Sequence, residues 1–126
     1  MKKIISTEKA PTPIGPYNQA IMLGNILYTS GQIAIDPNSG NLVIDSIEAE
    51  TTLVMQNLKA ILEAANMSFE NVIKSSIFVS DMNDFSKINA VYGQYFNLET
   101  APARETVEVA NLPKFVNVEI SVIAAV

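Results

Sequence analysis

The sequence contains no cysteine, no histidine and no tryptophan, and Arg104 is its single arginine. Without cysteine there is no disulfide, no thiolate nucleophile and no thiolate metal site. Without histidine the commonest general base and the commonest metal ligand are both gone. Carboxylates remain as cation ligands, but no Asp/Asn/Gly loop with calcium-loop spacing is present. There is also no Gly-rich phosphate loop and no Gly-x-Ser-x-Gly elbow. Positive charge is scarce and scattered: seven lysines accompany Arg104, and the net charge is -5. No basic patch emerges, so a nucleic-acid partner is not expected. No apolar run approaches the ~20 residues that span a bilayer. The first residues, Met-Lys-Lys-Ile-Ile-Ser-Thr-Glu, turn polar too soon for a signal peptide, so the expected location is the cytoplasm, away from membranes.

A length of 126 residues with 48% hydrophobic and 17% charged residues fits one soluble domain spanning 1–126. The apolar share is high for so small an interior, which points to oligomerisation.

Hydrophobic periodicity orders the chain as β-β-β-α-β-α-β-β. Lys2 to Ser6 is a short edge strand. Ala10 to Pro16 carries three prolines and a glycine, which forbid regular structure. Gln19 to Leu23 and Ile26 to Ile33 are strands joined by the turn Gly24-Asn25. Asp36 to Gly40 is a second turn, followed by a short extended piece at Leu42 to Ile44. Ile47, Thr51, Val54, Met55, Leu58, Ile61, Leu62 and Ala65 recur at helical spacing. Asp45 and Glu48 fit a capping box, and Asn66 is a stop. Val72 to Ser80 is a strand, and Asp84 to Phe96 is a second helix with Phe85, Ile88, Tyr92, Tyr95 and Phe96 on its inner stripe. Arg104 to Val109 and Phe115 to Ala124 are the last strands. Val116, Val118, Ile120 and Val122 share one face, and Asn117, Glu119 and Ser121 share the other. The expected fold is α+β, a mixed sheet with both helices on one face. The other face then calls for a partner subunit.

Two residues stand out chemically. The guanidinium of Arg104 matches a carboxylate with two parallel hydrogen bonds, although an ion pair with Glu119 or Glu108 would use the same group structurally. Glu119 lies between valine and isoleucine, where a charge is costly unless paired. A partly buried carboxylate there orients or deprotonates a water; a solvated outer strand face is the alternative. Tyr17 follows Gly15-Pro16, placed either to bond a ligand or to pack. Ser30-Gly31-Gln32 interrupts a strand with a glycine that admits a ligand or forms a bulge. Asn89 lies beside the apolar stripe of the second helix. Thr106 shares a strand face with Arg104, and Glu105 takes the other.

Four segments together resemble one family. Pro13-Ile14-Gly15-Pro16-Tyr17-Asn18-Gln19-Ala20, Thr29-Ser30-Gly31-Gln32-Ile33, Phe85-Ser86-Lys87-Ile88-Asn89, and Pro102-Ala103-Arg104 with Val107 through Pro113 are similar in order and spacing to the Rid (YjgF) family of reactive-intermediate deaminases. The resemblance covers nearly the whole chain. It implies a chorismate-mutase-like fold assembled as a homotrimer with sites between subunits. It also implies hydrolysis of 2-imino acids, released as enamines by pyridoxal-phosphate dehydratases, to 2-keto acids and ammonia, with no cofactor or metal. By the same resemblance Arg104 grips the substrate carboxylate and Glu119 holds the attacking water. Gly31 lies against the substrate, and Tyr17, Ser30 and Asn89 shape the site. Thr106 stands where bacterial deaminases of the family often carry cysteine. Two other readings belong to the same scaffold: a carboxylate-binding or regulatory module without turnover, and a ribonuclease or translation inhibitor. The last fits poorly with an acidic chain that lacks histidine.

Overall fold

The computed structural model describes residues 1–126. Six strands and two helices follow in the expected order: β1 Lys3–Ile5, β2 Ala20–Leu23, β3 Ile26–Thr29, α1 Ile47–Ala64, β4 Val72–Val79, α2 Phe85–Gly93, β5 Ala103–Glu108 and β6 Val118–Ala125. The strands form one mixed sheet in the order β1-β2-β3-β6-β4-β5. Every neighbouring pair is antiparallel except β4 and β5. Parallel neighbours need a crossover, and α2 supplies it. No helix is long and apolar enough to cross a membrane.

Alternation along β6 divides the sheet into two unlike faces. Val118, Ile120, Val122 and Ala124 are buried, and they join one core with Leu27, Ile77 and Val79 of the sheet, Val54, Met55, Leu58, Ile61 and Leu62 of α1, and Ile88 and Tyr92 of α2. Both helices therefore cover the same face, as the expected α+β arrangement requires. The opposite face is open. Cross-strand register aligns Ile4, Ile21, Tyr28 and Ile123 in one row across it. Ile4 and Tyr28 are nearly half exposed, as is Val107 on β5. This row leaves apolar side chains in contact with solvent.

Local structure departs from expectation at four places. Helix α1 is capped by Ser46, whose hydroxyl accepts from the Ala49 N–H at 3.0 Å, and not by an Asp45–Glu48 box. Ser46 has the extended backbone an N-cap needs, and Ala49 at the third helical position has no side chain to reach back. Asn66 does end the helix: its φ is 59°, and Asn66 and Met67 donate to Glu63 and Leu62 in a left-handed cap. Strand β3 stops at Thr29 rather than Ile33, because Ser30 turns its N–H to Gln19 and only Gln32 rejoins the sheet, as a bridge to Ile120. Residues 94 to 96 leave α2 by bonds to the third residue back, so Tyr95 and Phe96 flank the core from a tightened turn. Strand β6 begins at Val118 rather than Phe115; Pro113–Phe115 is a 3₁₀ turn in which Lys114 and Phe115 both have positive φ.

Three buried polar side chains fasten the loops to this frame. Gln19 donates to the carbonyls of Thr7, Ala10 and Pro11 and accepts from the Thr7 N–H, which fixes the proline-rich loop. Asn57 of α1 donates to the carbonyls of Ile33 and Ile35. Glu50 of α1 is fully buried, and its carboxylate accepts from the Asn117 N–H (2.7 Å), the Asn117 side-chain amide (2.7 Å) and the Val118 N–H (3.2 Å). An acceptor that satisfies three donors away from water replaces the solvent those donors lost.

Replacing Glu50 with alanine leaves those donors unmet, and a loss of about 3–5 kcal/mol is expected in chemical denaturation. Glu50→Gln retains one acceptor oxygen and should lose less. Equal stability of Glu50→Ala and the parent would show that the clamp contributes nothing.

Candidate functional site

The residues singled out in the sequence fall into two groups on opposite faces of the sheet. Arg104, Asn89 and Thr106 lie on the helix-covered face. Register places Arg104 beside Ser75 and Thr106 beside Ile77, and both partners are buried under the helices. Glu105 points to the open face, where it bonds Ser76 and pairs with Lys74 Nζ at 2.9 Å. That pair is the only salt bridge of the chain.

Arg104 therefore has no carboxylate partner. Glu108 instead accepts from the Met82 N–H at 2.7 Å, and Glu119 lies across the sheet. The guanidinium is held by α2. Its Nη1 donates to Asn89 Oδ1 at 2.7 Å. Its central carbon lies over the Tyr92 ring, 5.1 Å from the centroid, and over the Phe85 ring at 5.5 Å. Phe85, Asn89 and Tyr92 stand four and then three residues apart, so they share one stripe of the helix. A cavity opens beside them, lined by Asn89, Tyr92, Gly93, Phe96, Leu98, Ala101 and Arg104. It combines one cation with apolar walls, as a pocket for a small carboxylate requires.

The second group gathers around Glu119. Tyr17, Gly31 and Glu119 line one cavity together with Gln19, Gln32, Ile33 and Pro113. The walls are the loops that Gln19, Asn57 and Glu50 hold in place. Glu119 projects from β6 on the open face, beside Phe78, and the loops half-bury it there. Its carboxylate makes no hydrogen bond within the chain. Burial raises its pKa above the ordinary glutamate value. Gly31 is required by this carboxyl group: a Cβ at residue 31 would lie 2.7 Å from Glu119 Cδ. The close approach foreseen at this glycine is made by the glutamate side chain.

Tyr17 is nearly half exposed at the cavity mouth, its hydroxyl 3.4 Å from the Ile14 N–H. Ser30 and Thr106 line neither cavity. The Ser30 hydroxyl is spent on the Asn18 carbonyl at 2.5 Å, and its N–H on Gln19, so it ties the end of β3 to the proline-rich loop. Thr106 Oγ1 is buried without a partner. Sequence reasoning missed the ring seat of Arg104. It assigned Phe85 and Tyr92 to the core stripe, where Tyr92 also belongs. The signal that could have found the seat was the spacing of Phe85, Asn89 and Tyr92 around the one polar member.

The chain is similar over nearly its whole length to known proteins. Residues 7–126 match the family model described as Endoribonuclease L-PSP. A RutC family protein of Pyrococcus horikoshii is 54% identical over 98% of both chains. A Salmonella typhimurium protein named 2-iminobutanoate/2-iminopropanoate deaminase is 46% identical, again over 98% of both. A crystal structure of a Thermotoga maritima protein, described as a putative endoribonuclease, superposes with a TM-score of 0.96 at 48% identity, covering 100% of this chain and 98% of that one. With its fold and nearly its whole length in common with these relatives, the chain belongs to the Rid family, also called YjgF or RutC.

Proposed function

We propose that this chain hydrolyses reactive 2-imino acids to 2-keto acids and ammonia, in clefts between the subunits of a cytoplasmic homotrimer. The observation that carries the reading is the division of the site. An arginine without a carboxylate partner lies on one face of the sheet, and a desolvated glutamate lies on the other. One ligand reaches both only if a second copy supplies one of them. The open apolar face gives that copy a place to dock, and the relative named as a deaminase supplies the reaction.

The chemistry needs no metal and no histidine. Arg104 holds the substrate carboxylate and so fixes the iminium carbon in place. Glu119 from the adjacent copy accepts a proton from the attacking water as its oxygen bonds to that carbon. The same proton then passes to the nitrogen of the tetrahedral adduct. Ammonia leaves, the carbonyl forms, and the hydroxyl proton returns to solvent through the carboxylate. A glutamate whose pKa is raised suits both halves of this transfer better than an ordinary one. Tyr17 and Gly31 wall the cleft on the Glu119 side, and Asn89 steadies the arginine.

A second reading has its own support. The cavity at Arg104 is complete within one chain and lies apart from Glu119. It would bind a small carboxylate without turnover, as a sensor does. The ribonuclease reading finds neither a histidine nor a clustered basic surface.

Two outcomes test the proposal. Arg104→Ala and Glu119→Gln should each abolish accelerated keto-acid release when coupled to a serine or threonine dehydratase. Unfolding the two variants together and reassembling them should restore about a quarter of parental activity, because each mixed trimer regains one intact cleft. No recovery on mixing would place both groups in one chain's site and sink the intersubunit model. The rate should also fall with decreasing pH as Glu119 takes up a proton, and the midpoint should lie above the ordinary glutamate range because burial raises its pKa. An acid limb at the ordinary carboxylate value in the pH profile of kcat/KM would remove Glu119 from the proton transfer.

A further inference from the structure

The arginine's surroundings differ from those of a guanidinium held for structure. Structural arginines are usually held by carboxylates, which occupy the in-plane N–H groups and cancel the charge. Arg104 makes one hydrogen bond of the five that a guanidinium can donate, and its acceptor is the neutral amide of Asn89. The remaining attraction comes from two ring faces, Tyr92 and Phe85. A ring face attracts a cation through its quadrupole without accepting an in-plane hydrogen bond. The charge is thus held in place but not neutralised.

The seat is itself fixed from below. The Tyr92 hydroxyl donates to Ser75 Oγ at 2.9 Å, in a buried contact. Ser75 is the residue of β4 that stands beside Arg104 in the sheet. The Tyr92 ring also packs against Phe96, with centroids 4.7 Å apart. Strand position, peg, ring and guanidinium therefore form a closed circuit: β5 sets the arginine's root, β4 sets the tyrosine's tip, and α2 carries the rings between them. A free arginine loses much rotamer freedom when it grips a ligand. Here that freedom is already restricted before a ligand arrives.

We propose that Phe85 and Tyr92 are positioning residues that preset Arg104 for an incoming carboxylate, with Ser75 as the peg that holds Tyr92. The inference rests on the carboxylate-anchoring role given to Arg104 above. It adds that the anchor's affinity is set by the two rings, and that the deliberate absence of an acidic neighbour keeps the in-plane donors open.

The test uses the fact that Arg104 is the only arginine, so its side-chain Nε–H gives one NMR signal that needs no assignment by mutation. In the full-length protein, Phe85→Leu keeps an apolar side chain of similar bulk but removes the ring face. Its Arg104 signal should move downfield as the ring current is lost. Affinity for 2-oxobutanoate, a 2-keto acid product, should fall about 3- to 10-fold, the scale of freezing one long side chain. KM should rise by a similar factor while kcat changes little. Phe85→Tyr, which restores the ring, should recover all three. Thermal melts of each variant separate this effect from unfolding. A Phe85→Leu protein with an unmoved Arg104 signal, or with parental affinity for 2-oxobutanoate, would overturn the proposal. A parent that binds 2-oxobutanoate in the ring-dependent way but hydrolyses no imine would support the seat while refuting the deaminase reading.

Discussion

A single carboxylate without water around it, that of Glu50, decides where the last strand starts and so where the candidate water-holding residue points. Its oxygens take the N–H groups of Asn117 and Val118 and the Asn117 amide. That fixes the phase of β6. Because strand side chains alternate, a slip of one residue would turn Glu119 into the core and Val118 outward. The core residues Val118, Ile120 and Val122 favour the observed phase, and Glu50 locks the end at which it begins. Gln19 and Asn57 act on the neighbouring loops in the same way. A polar group buried in the core carries a desolvation cost, and here the cost is offset by holding backbone that no sheet or helix holds.

Much of this was legible beforehand because it follows from periodicity. The six strands, two helices and their order come from apolar spacing, and the helix stop at Asn66 comes from the one residue type besides glycine that readily takes a left-handed backbone. The opposed faces of Arg104 and Glu105, and of Glu119 and Ile120, follow from strand alternation. What escaped was set by partners distant in sequence. Glu50 sits on a helix whose pattern gives no reason to bury it, since its three donors are 67 and 68 residues away. The start of β6 differs from the expected Phe115 for the same reason, and because two consecutive left-handed residues, Lys114 and Phe115, are non-glycine. The alternative role of Arg104 as an ion pair fails because Glu108, on the same face of β5, is turned to the Met82 N–H, and Glu119 lies on the opposite face, placements that sequence spacing alone does not reveal.

The candidate chemistry is divided between two environments that the fold keeps apart. The arginine sits on aromatic faces with its charge uncancelled. The glutamate sits among loops that strip water from it. Each is poorly suited to the other's task. A glutamate beside the arginine would have its pKa lowered and would compete with a substrate carboxylate. Separation across a sheet prevents that pairing within one chain.

The crossover from β4 through α2 to β5 contains the whole arginine half of this arrangement, from Ser75 to Arg104. The glutamate half draws on residues 17, 31, 113 and 119, which are brought together only when the chain's two ends have met. Contacts between residues near in sequence cost less loop-closure entropy and form earlier in folding than distant ones. On refolding from denaturant the arginine seat would then assemble ahead of the glutamate cavity, so a chain caught part-way would hold the one without the other.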